Sequence, residues 1–112
     1  MFSLFAKLIP AVPAAKADAL ARQVVEASLS AATELVAEQT SEMTLSEARG
    51  YVRARCGRIV RRQTRLAINR HPDANSTWTN TVVRIATERL VPLVLRESKV
   101  GVPRSTQLPA AA

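Results

Sequence analysis

Cysteine, histidine, glycine and aromatic side chains are all scarce in this chain of 112 residues. Cys56 is the one cysteine, which excludes an intrachain disulfide and any Cys-based metal site, and makes a reducing intracellular compartment the default. His71 is the one histidine, so no His pair can hold a metal. A Ser–His–Asp arrangement would have to recruit a histidine from a proline-bounded turn, and the chain has no Gly-x-Ser-x-Gly elbow. Glycines stand only at positions 50, 57 and 101, too dispersed for a phosphate-cradling loop. The aromatics are Phe2, Phe5, Tyr51 and Trp78, so packing must rest on Ala, Val, Leu and Ile. No stretch alternates apolar and polar residues as a half-buried strand would. Glu34/Glu38 and Glu38/Glu42 are spaced i, i+4, but such pairs are far more often solvated helix carboxylates than catalytic dyads. These absences point away from an enzyme, and no metal or cofactor is expected.

What is present is basic charge, unevenly placed. Residues 1–48 carry three bases against six acids, whereas residues 49–112 carry thirteen bases against three acids. A basic half usually implies a polyanionic or acidic partner. The alternative is internal: an acidic first helix lying beside the basic second one would neutralise part of it.

The apolar periodicity predicts an all-α fold, a small antiparallel three-helix bundle with an apolar N-terminal arm and a flexible C-terminal tail. Residues 1–12 form the arm, 13–99 the helical domain and 100–112 the tail. The arm is rich in Phe, Leu and Ile and broken by Pro10; it makes a poor secretory signal and is far too short to span a bilayer. Packing on the bundle or on a partner is its expected role, with membrane-surface contact left open.

The first helix is expected over about 13–40, with Pro13 in its first turn. Its buried stripe should comprise Ala17, Leu20, Ala21, Val24, Ser28, Ala31, Ala32 and Leu35. Thr44 with Glu47 three residues on forms a capping box that starts the second helix, about 45–70. Its apolar face should hold Leu45, Ala48, Val52, Cys56, Ile59, Gln63 and Leu66. Gly50 and Gly57 inside it mark either close contacts or a break. His71-Pro72 stops this helix, because the residue before proline is driven out of the helical region. Asn75 or Ser76 caps a third, about 76–98, which should bury Thr79, Val82, Val83, Ala86, Leu90, Leu93 and Val94. Pro92 should kink it near Glu88–Arg89.

The second helix carries eight of the sixteen basic residues, all arginine. Tyr51, Arg55, Arg58, Arg62 and Arg65 recur at spacings of four and three, opposite the apolar face, with Arg61 beside them. Guanidinium groups fork onto phosphate or carboxylate oxygens, and Tyr51 could stack on a base or pack on a sugar. The expected partner is RNA, a ribonucleoprotein or an acidic protein surface within a larger multi-subunit complex. A helix-turn-helix would need a tight turn after Val52, where the helical pattern instead continues.

The turn supports a second functional reading. Ile59–Asn75, IVRRQTRLAINRHPDAN, resembles the second helix and loop of J-domains, helical modules that stimulate the ATPase of heat-shock chaperones. Ile59, Arg61, Leu66, Ala67, Ile68 and then His71-Pro72-Asp73 fall in that family's places, and Val83-x-x-Ala86-x-x-x-Leu90 fits its third helix. The resemblance is partial, covering about residues 59–90, and the family's first-helix motif of an aromatic followed by Leu-Gly is absent. It implies that His71, Pro72 and Asp73 form a chaperone-triggering loop, with Arg58, Arg61, Arg62 and Arg65 as the chaperone-binding face.

Overall fold

A computed structural model describes residues 13–98, and within them the chain is all-α. Helix α1 spans Ala14–Thr40, α2 Leu45–Arg70 and α3 Thr79–Glu97, with a 3-10 turn at Ser76–Trp78 leading into α3. Each helix packs on both others, giving a three-helix bundle. The expected arm and tail lie outside the described residues. Among the described residues no helix is long and apolar enough to cross a membrane.

The helix boundaries follow from local chemistry. Pro13 sits one position before α1, not inside its first turn, and its carbonyl accepts the Ala17 N–H at 2.9 Å. Thr44 and Glu47 form the capping box: the Glu47 N–H donates to Thr44 Oγ1 at 3.2 Å, and the Thr44 N–H donates to Glu47 Oε1 at 3.1 Å. That bond to the Thr44 backbone, seconded by the Thr44 hydroxyl, holds the Glu47 carboxyl below its ordinary pKa. His71 caps the far end of α2 in an extended conformation, as the following proline demands. Asn75 Oδ1 accepts the Thr77 N–H at 2.9 Å and opens the 3-10 turn.

The core follows a repeat of four. Leu20, Val24, Ser28, Ala32, Val36 and Thr40 are buried in α1; Ala48, Val52, Cys56, Val60, Thr64 and Ile68 in α2; Val82, Ala86, Leu90 and Val94 in α3, with Trp78 of the 3-10 turn continuing that row. Positions four apart advance about 40° around a helix at each step. The buried row therefore winds in the right-handed sense, opposite to the drift of a heptad seam. Rows of this kind are the ridges of the commonest helix-packing class in globular proteins.

That winding corrects the expected faces. Leu45 (46% exposed), Leu35 and Leu66 (both 37%) lie outside the core, and Ala31 is also exposed. Val36, Thr40, Val60, Thr64 and Ile68 take their places. The two threonines enter the core because each hydroxyl donates back to the preceding turn, Thr40 to the Val36 carbonyl at 2.9 Å and Thr64 to the Val60 carbonyl at 2.7 Å. Val91 and Leu95 of α3 and Trp78 of the 3-10 turn join the core, while Thr79, Val83 and Leu93 are only half-buried.

Helix α3 runs unbroken through Pro92, whose ring is exposed. Gly50 and Gly57 mark neither a contact nor a break: α2 continues through both, and a Cβ at either would meet nothing within 4 Å.

Candidate polyanion-binding face

With the core row fixed, the rest of α2 sorts into three further rows of four-residue spacing. Gly50, Ala54, Arg58, Arg62, Leu66 and Arg70 point outward and are exposed. Tyr51, Arg55, Ile59 and Gln63 flank α1, where Ala54, Arg55, Arg58 and Ile59 line an open groove of about 570 Å³ with Leu35. Arg49, Arg53, Arg61 and Arg65 flank α3, where Arg49 and Arg53 share a second groove with Glu88, Val91, Pro92 and Leu95. The expected single line of Tyr51, Arg55, Arg58, Arg62 and Arg65 is thus spread over three adjacent rows. Together they make a broad basic surface around the exposed half of α2.

Arg55, Arg58, Arg61, Arg62 and Arg65 are all exposed. The ion pairs among the described residues are Lys16–Asp73 at 3.7 Å, Arg22–Asp18 at 3.3 Å and Arg89–Asp18. None involves an α2 guanidinium, so the acidic residues of α1 do not pair with the basic helix beside them. Asp18 instead binds α1 to α3: the Arg89 hydrogen bond and charge, aided by Arg22, hold its carboxyl below the ordinary aspartate value. Tyr51 differs from its neighbours, for it is half-buried and packs against the core. Cys56 is buried among apolar groups, and burial pushes its thiol pKa up, which suits a packing residue and not a nucleophile.

The His71-Pro72-Asp73 turn lies at the end of the bundle where α1 begins. His71 Nε2 lies 3.3 Å from Gln23 Oε1, and Asp73 pairs with Lys16, so both side chains of the turn touch the first three turns of α1. All three turn residues are exposed. His71 and Asp73 border a shallow cleft of about 110 Å³ floored by Leu20, Ala74 and Trp78. These cross-helix contacts had no signal in the sequence, since they join positions about fifty residues apart. No protein-family model, curated protein or solved structure matches the chain, so the functional reading rests on this geometry.

Proposed function

We propose that this protein is a non-enzymatic, basic helical binding and assembly subunit of an intracellular complex, whose α2 docks on a polyanionic partner. RNA, a ribonucleoprotein or an acidic protein surface would each offer the required charge. The observation that carries this reading is the set of five exposed arginines, Arg55, Arg58, Arg61, Arg62 and Arg65, with no carboxylate partner among the described residues. A solvated guanidinium retains its full donor fork, so pairing with an external phosphate or carboxylate breaks no existing ion pair. Isolation of the native protein with its bound material, with and without nuclease, tests the reading. The expected result is co-isolation that Arg58→Glu together with Arg62→Glu abolishes. Nuclease sensitivity separates nucleic acid from protein as the partner, and co-isolation unchanged by the double reversal refutes the reading.

A second reading is favoured by the exposure of His71, Pro72 and Asp73 at the turn between the basic α2 and the antiparallel α3. In it the protein is a divergent J-like co-chaperone, with the α2 arginines facing a heat-shock chaperone. It expects stimulation of a chaperone ATPase that His71→Gln removes. No stimulation by the native protein would eliminate it.

A further inference from the structure

We propose that the cleft beside the His71-Pro72-Asp73 turn is the docking site for the chain's own N-terminal arm, residues 1–12, with the Phe5 ring as its occupant. The cleft holds about 110 Å³, is floored by Leu20, Ala74 and Trp78, and lies against the first turns of α1. A space of that order takes one benzene-sized ring. On the floor, the Trp78 indole would meet that ring as an aromatic pair. The α1/α2 and α2/α3 grooves are larger and carry arginines, Arg55 and Arg58 in one and Arg49 and Arg53 in the other, which suits them less to an apolar side chain.

The sequence supplies the occupant. Both phenylalanines of the chain, Phe2 and Phe5, lie in the arm with Leu4, Leu8 and Ile9, and no acid accompanies them. Apolar side chains in that number gain by leaving water. The arm joins the bundle at Pro13, whose extended backbone (φ −59°, ψ 128°) stands before the helix. Lys16, Leu20 and Gln23 line the cleft three, seven and ten residues further on, so it spans about 5–15 Å along α1 from Pro13. A chain extended at about 3.5 Å per residue covers about 14 Å from Pro13 to Ile9 and about 28 Å from Pro13 to Phe5. Ile9 would reach with nothing left for the reversal of direction, whereas Phe5 has the slack. Phe2 would close a longer loop, at a greater entropic cost.

Tethering makes a small contact sufficient. A short linker holds its two ends at an effective concentration in the millimolar range, so a contact with an intrinsic Kd of about 1 mM is already about half occupied. The docked arm covers the cleft between His71 and Asp73 and leaves Arg55, Arg58, Arg61, Arg62 and Arg65 open. The inference therefore stands apart from the polyanion reading. Under the co-chaperone reading, the arm has to lift before the turn can be reached.

Nuclear Overhauser spectroscopy on the full chain tests it. Contacts are expected from the Phe5 ring protons to the Leu20 methyl groups and to the indole of Trp78, the one tryptophan in the sequence, and they should persist on dilution. Phe5→Asp should shift the Leu20 methyl resonances as the ring current is lost, whereas Phe2→Asp should leave them in place. Ala19→Glu, on the exposed wall of the cleft, should abolish the Phe5 contacts while the helical circular dichroism stays intact. Absence of the Phe5 contacts in the native chain overturns the proposal. So do contacts that fade on dilution, which would put the arm of another copy in the cleft. Leu20 shifts that follow Phe2→Asp instead of Phe5→Asp, or Phe5 contacts that survive Ala19→Glu, overturn it as well.

Discussion

Replacing Gly50 and Gly57 by alanine should stabilise this protein, and the size of the gain follows from where the two glycines sit. Both lie inside α2, where glycine costs about 1 kcal/mol relative to alanine because the unfolded chain has more backbone freedom to lose. A new methyl group meets nothing within 4 Å at either site, so no steric penalty offsets the gain. The sites are seven residues apart, about 10 Å along the helix, far enough for their effects to add. Each substitution should therefore raise unfolding free energy by about 1 kcal/mol and the double change by about 2 kcal/mol. For a domain of this size that is a rise in Tm of about 5 °C for each single change. Urea denaturation and thermal melts followed at 222 nm would measure both quantities, with an unchanged m-value showing that the unfolded ensemble is the same. The arginines stay on their rows, so polyanion binding should be unaffected. Loss of stability in either single variant would mean that α2 is interrupted there, or that another surface approaches the glycine. Either result would refute the continuous helix on which the basic face depends.

Two further predictions concern polar groups. Ser28 is fully buried and its hydroxyl has no hydrogen-bond partner among the described residues, so Ser28→Ala should stabilise by about 1 kcal/mol in the same urea assay; destabilisation would show that the hydroxyl is satisfied in solution. Asp18 has a folded pKa below its unfolded one, so its contribution is complete above the ordinary aspartate range and is lost as pH falls through the lower folded value. Asp18→Asn should accordingly lower Tm near pH 7 and make a shrinking difference as the pH is taken down to about 2, whereas a pH-independent difference would refute the ion pair with Arg89 and Arg22.

Helix number and order could be read along the chain because each boundary has a local cause. The Thr44/Glu47 box and the His71-Pro72 stop are single-site chemistry and stand in the structure as expected, whereas Asn75 caps the 3-10 turn that leads into α3, and α3 itself starts three residues later than expected, at Thr79, with no side-chain cap. The facing of the helices could not be read so well. A mean spacing of 3.5 put Leu45, Leu66 and Leu35 inside, but the core rows step by four, and over several turns the two patterns diverge by a large angle. Residue type added to the error. Thr40 and Thr64 look polar, yet their hydroxyls bond to their own helices and leave a methyl group to pack. The large leucines looked like core residues although rows of Ala, Ser, Cys, Thr and Val fill most of the interior of α1 and α2. The arginines of the candidate site were visible as a basic helix, but their division among three rows depends on that phase. The contacts of His71 with Gln23 and of Asp73 with Lys16 depend on tertiary packing and leave no periodic trace.

The central claim is that the α2 guanidinium groups are available to an external polyanion, and its salt dependence tests that claim most directly. Binding of the full chain to a nucleic acid of defined length should be titrated across a range of salt concentrations. If Arg55, Arg58, Arg62 and Arg65 meet four phosphates, log K against log salt should slope at roughly −3 to −4, and Arg58→Glu with Arg62→Glu should flatten it by about 2. A slope near zero, or one that the double reversal leaves unchanged, would show that these arginines are not what holds the polyanion.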